Sequence, residues 1–93
     1  MDKDFVTAEE TYFLERWPGV RRVIREAIVD ADREGRGGTK VFIRCSEKRD
    51  CRFVDFIIKK LEEAGYDAHK VNHGYYVAIY IGWRAVMEWS DFY

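Results

Sequence analysis

Apolar side chains fall at Val20, Val23, Ile24, Ala27, Ile28 and Ala31. Spacings of three and four put them on one stripe of an amphipathic helix. Arg21, Arg22, Arg25, Asp32 and Arg33 take the remaining faces. Upstream, Thr7-Ala8-Glu9-Glu10 fits a capping box, in which the Thr hydroxyl caps and a Glu three residues on reaches back. That predicts a helix from about Ala8, with Tyr12, Phe13 and Trp17 on one side. Trp17-Pro18 predicts a break, because a residue before proline avoids the α region. Pro18 then suits the first position of a second helix. The expectation is a kinked helix pair, ended by Gly35 and the Gly37-Gly38 turn.

The period then changes to two. Val41, Ile43 and Cys45 alternate with Lys40, Phe42 and Arg44, as in a half-buried strand. After a basic loop, Phe53, Val54, Ile57, Ile58, Leu61 and Ala64 form the core stripe of another helix, for which Ser46 or Asp50 is a candidate cap. Lys59-Lys60 and Glu62-Glu63 are its wet face, and Gly65 sits where a left-handed C-terminal cap is needed. A strand over Tyr66 to Val71, a turn at Asn72-His73-Gly74 and a strand over Tyr75 to Trp83 complete a hairpin.

The predicted fold is a single α/β domain over residues 1–93: a kinked N-terminal helix pair, then strand, helix, strand, strand. A right-handed crossover predicts that the first two strands are parallel, and the hairpin makes the three-stranded sheet mixed. Tyr75, Val77, Ile79, Ile81 and Trp83 share the face that meets the helices. The uncovered face is left with Phe42, Tyr76 and Tyr80, bordered by Lys40, Arg44 and His69. The tail, residues 84–93, carries Met87, Trp89, Phe92 and Tyr93 and reads as a docking segment.

An apolar fraction of 47% is too high for a disordered tail. The aromatic fraction of 16% exceeds what a small core hides, so some rings should lie on a surface that meets something. Net charge is −1, which argues against a general nucleic-acid binder. No apolar run approaches a membrane span, and Met1-Asp2-Lys3-Asp4 lacks a signal-peptide pattern. The expectation is a cytoplasmic protein with no membrane partner, whose Cys45 and Cys51 are free thiols.

Cations gather where the first strand meets its helix: Arg44, Lys48, Arg49 and Arg52. Guanidinium and ammonium groups beside helix-start N–H groups attract phosphate or carboxylate. The loop has no glycine-rich cradle and no GxxxxGK[ST] pattern, and its plainer reading is a solvated helix start neutralised by Glu47 and Asp50. A phosphatase-like loop needs Cys, five residues, then Arg; Cys51 stands where the Arg belongs. His69 and His73 would be needed to make a Cys2His2 zinc site with the two cysteines, against the bland reading of a buried Cys45 and a helix-start Cys51. No metal and no cofactor is expected. Glu9-Glu10 and Glu62-Glu63 are adjacent and diverge around their helices, so no acid–base pair stands out. The uncovered aromatic face suits a subunit interface, or a platform on which Tyr76 or Tyr80 stacks a base.

Leu61-Glu62-Glu63-Ala64-Gly65-Tyr66 followed by Tyr80-Ile81-Gly82-Trp83 resembles a broad group of small phage-encoded α/β proteins, over about residues 40–83. Some small phage proteins counter host defences by binding a protein or by sequestering a nucleotide signal. The resemblance implies a binding protein in the host-cell cytoplasm and transfers no residue-level site. Together these readings predict a non-catalytic homo-oligomer that captures a small phosphate-bearing nucleotide through Arg44, Lys48, Arg49 and Arg52, with Tyr76 or Tyr80 stacking on the base. The main rival is a protein–protein inhibitor of a host enzyme, followed by a small nucleic-acid-binding module.

Overall fold

The structure is a computed structural model that describes residues 7–83. Thr7 caps the first helix as expected: its hydroxyl oxygen accepts from the Glu10 N–H at 3.0 Å. The helix, α1, runs from Ala8 to Arg33 without interruption, Pro18 included. The expected pair of helices is therefore one. The reason lies in the stripe that the helix buries. Phe13, Trp17, Val20, Ile24, Ala27, Ile28 and Ala31 continue at helical spacing straight through the proline and meet the core on both sides of it. Pro18 and Leu14 are exposed, so the bond that Pro18 cannot donate is missing on the solvent side. Burial on the inner face outweighs a local cost of about 3 kcal/mol.

The chain continues through β1 (Gly38–Arg44), α2 (Lys48–Glu63), β2 (Asp67–Asn72) and β3 (Tyr76–Gly82). The sheet order is β1-β3-β2, and both ladders are antiparallel. The expected mixed sheet is corrected here. β1 and β2 do run in the same direction, but β3 lies between them, so no parallel ladder forms among the described residues. The most apolar strand takes the central place, where hydrogen bonding on both edges and packing reward it most. Residues Val77 to Ile81 are all buried, whereas the edge strands are only partly so.

Both helices pack on the face that carries Val41, Val77, Ile79 and Ile81. Rings seal the join between them: Phe13 lies 5.4 Å from Phe53 and 5.3 Å from Phe56, and Trp17 meets Phe56 edge-on at 5.7 Å. On the opposite face Phe42 (58% exposed) and Tyr76 (54% exposed) are open, as expected. Tyr80 is not; only 4% of it is exposed. Its register partners on the two edge strands are Lys40 and His69, and the His69 ring stacks on it at 5.1 Å. The aromatic tail expected at residues 84–93 lies outside the described residues. No described helix is long and apolar enough to cross a membrane.

Two glycines act as anticipated. Gly65 (φ +93°) ends α2 in a Schellman arrangement, with Tyr66 N–H donating to the Leu61 carbonyl at 3.0 Å and Gly65 N–H to that of Glu62 at 3.0 Å. Gly74 (φ +88°) turns the β2–β3 hairpin, its N–H donating to Asn72 Oδ1 at 2.8 Å.

Two stability measurements check this account. Pro18→Ala restores a helical N–H and should raise stability by about 2–3 kcal/mol in denaturant titrations. A proline that opened a second helix would instead lose stability on replacement. At Gly74 a Cβ would meet nothing within 4 Å, so Gly74→Val isolates the backbone cost. It should destabilise by about 1–3 kcal/mol. An unchanged melting temperature would contradict the turn geometry.

Candidate anion-binding basin

The turn between β1 and α2 is organised by Asp50, an acid that is only 8% exposed. A buried carboxylate must find hydrogen-bond donors or lose its charge. Asp50 Oδ2 accepts from the backbone N–H groups of Ser46 (3.1 Å) and Glu47 (3.2 Å) and from the Ser46 hydroxyl (3.3 Å). Oδ1 accepts from the Tyr12 hydroxyl of α1 at 2.7 Å. The N-cap residue of α2 is Glu47, and Asp50, three residues on, reaches back to it. The Tyr12 hydrogen bond holds the Asp50 carboxyl below its ordinary value of 3.8. The same bond, together with burial, raises the Tyr12 hydroxyl above 10.0. Tyr12 is thus the neutral donor and Asp50 the charged acceptor.

Three arginines surround this scaffold, one from each element. Arg16, one turn along α1 from Tyr12, donates from Nη1 to the Tyr12 oxygen at 2.6 Å. Arg49, from the first turn of α2, lies over the Tyr12 ring, 4.3 Å from its centre, and pairs with Glu47 at 2.9 Å. Arg44 closes β1 opposite Tyr76 and enters no ion pair among the described residues. With Ser46, Glu47, Asp50 and Tyr12 they line a polar basin of about 240 Å³.

Of the cations singled out in the sequence, Arg44 and Arg49 meet in this basin. Lys48 does not line it. Arg52 points away and pairs with Glu9 of α1 at 2.7 Å. The Ser46 and Glu47 N–H groups serve Asp50, so the charge in the basin comes from side chains and not from those helix-start amides. Tyr76 stands beside Arg44 and is exposed, whereas Tyr80 is buried and stacks with His69. Sequence reasoning missed Arg16 and Tyr12. Their spacing of four on one helix was a signal that they share a face, but nothing local tied that face to the distant loop.

Cys45 is a buried free thiol pushed up to about 11, chiefly by burial and then by neighbouring Cys51. That keeps it protonated and inert. Cys45 belongs to the helix-covered core while His69 stacks on the opposite face, so the two do not share a coordination sphere. Among the described residues, no three His, Cys, Asp or Glu side chains converge on a metal position.

Removing the Tyr12 hydroxyl tests the scaffold. Tyr12→Phe should cost about 1.5–3 kcal/mol near pH 7, the range for hydrogen bonds to charged groups. The pH dependence has a definite sign. Asp50 is depressed on folding, so its contribution is present above 3.8 and is lost as pH falls through the lower folded value. Tyr12 is raised, so its contribution is present below 10.0 and is lost as pH climbs through the higher folded value. Denaturant titrations should show wild type and variant furthest apart between these limits and converging in acid. A constant difference from pH 2 to pH 7 would contradict the pairing.

Comparison of the chain with protein-family models, with curated proteins and with solved structures finds no match. The geometry of the basin is therefore what bears on function.

Proposed function

We propose that this protein is a non-catalytic binding protein that holds a small phosphate-bearing nucleotide in the basin at the β1–α2 turn. Arg16, Arg44 and Arg49 neutralise the phosphate, and Tyr76 offers a face on which a base stacks. The observation that carries the reading is convergence. Guanidinium groups from three separate elements line one polar hollow in a chain whose net charge is −1. Glu47 and Asp50 in the same lining offset two of the three positive charges and leave the basin one cation in excess, and Arg44 has no acidic partner among the described residues. The resemblance to phage-encoded proteins supplies a setting for this activity, the sequestration of a nucleotide signal in a host cell.

A second reading, the inhibition of a host enzyme or self-association, is favoured by the rings at one end of the sheet. Phe42, Tyr76 and Tyr75 (76% exposed) crowd the same region as Arg44. Tyrosine, phenylalanine and arginine are enriched at protein interfaces.

Calorimetry against a panel of cyclic and linear nucleotides separates the two. Arg49→Glu should abolish nucleotide binding, because it removes a donor and adds repulsion. Arg49→Lys keeps the charge but loses the planar fork, and should weaken binding less. Arg52→Ala should leave affinity unchanged. If no nucleotide binds, or if Arg16, Arg44 and Arg49 can all become Ala without effect, the anion reading fails and the interface reading stands.

A further inference from the structure

A second concavity lies along α1, built from residues that the basin does not use. Between α1 and the end of α2 an open groove of about 320 Å³ has Trp17, Ile24, Ile28 and Leu61 in its floor. Arg21, Arg25 and Lys60 stand on its rim. It runs on into a hollow of about 370 Å³ that shares Ile28, Val29 and Tyr66 with it and ends at Arg33 and Trp83. Trp17 to Arg33 is sixteen helical steps, so the trough is about 24 Å long.

Charge along this trough is one-sided. Arg21, Arg25, Arg33 and Lys60 line it, and none of them enters an ion pair among the described residues. The acid in the lining, Asp32, accepts from the Trp83 indole N–H at 3.3 Å. This local excess of cations stands against a whole-chain charge of −1. We propose that the trough docks an acidic amphipathic helix of a partner protein. An apolar floor takes the anchors of such a helix at i, i+3, i+4 and i+7, and the rim pairs with its flanking carboxylates. About 24 Å matches roughly sixteen residues of helix. A fatty acid fits the floor less well, because its single carboxylate would leave most of the rim cations unmatched.

The probe is a synthetic helical peptide of about sixteen residues, with leucines at the anchor positions and glutamates beside them. The controls are the same peptide with lysines for glutamates, and sodium dodecanoate. Fluorescence anisotropy with the full chain gives affinity, and backbone amide shifts give position. The glutamate peptide should bind saturably and shift amides around Trp17, Ile28 and Tyr66. Arg21 and Arg25 are exposed, so the double variant Arg21→Glu/Arg25→Glu leaves the core intact. It should weaken the glutamate peptide by at least about tenfold and acquire affinity for the lysine peptide. Failure of the glutamate peptide to bind overturns the proposal, as does binding that survives charge reversal or that shifts amides elsewhere. Saturable binding of dodecanoate without the peptide assigns the trough to an acyl ligand and also overturns it.

Discussion

The charge on Asp50 is the constraint around which the junction of α1, β1 and α2 is built. Removing a carboxylate from water costs several kcal/mol unless donors replace the solvent. Tyr12, Ser46 and Glu47 supply those donors, and they do so from both sides of the sequence: one residue from the first helix, two from the turn. Each bond therefore has a structural consequence. The Tyr12 bond locks the start of α1 against α2. The turn bonds fix the start of α2 relative to the end of β1. The core supports the same geometry, since Phe13 follows Tyr12 directly and packs on Phe53 and Phe56.

The basin follows from that lock. Arg16 is held because its partner, the Tyr12 oxygen, is itself held by Asp50. Arg49 is held over the same ring. Arg44 ends the strand that leads into the turn. A site whose side chains are tied to a rigid scaffold loses little freedom when a ligand enters, which favours affinity. The arrangement also explains why not every cation and amide of the loop faces the basin. Arg52 is spent on Glu9, and the turn amides are spent on Asp50.

Much of the fold was legible along the chain because it is written in local chemistry. The Thr7 cap, the Gly65 stop, the Gly74 turn and the core stripe of α2 each depend on neighbours within a few residues. What failed depended on distant ones. Pro18 looks like a helix start locally, yet the packing of Phe13 and Trp17 on α2 carries the helix past it. The place of β3 between β1 and β2 is set by which strand best fills a doubly paired, buried position, and hairpin spacing does not report that. Tyr80 reads as an open-face ring by alternation, but it is buried on the central strand, with His69 stacked on it. Half of the candidate site was visible, as Arg44 and Arg49. Tyr12 and Arg16 were not, because the residue that joins them to the loop, Asp50, lies 38 positions from Tyr12.

The central claim is that Arg16 and Arg49, held on the Tyr12–Asp50 scaffold, act together with Arg44 as one anion site. It is tested most directly by following each arginine Nε–Hε resonance of the full chain while inorganic phosphate is added. The account predicts that Arg16, Arg44 and Arg49 shift together along one saturating curve, while Arg52 and the exposed Arg22 do not. Shifts of equal size at all arginines, without saturation, would show only diffuse ion atmosphere and would contradict it.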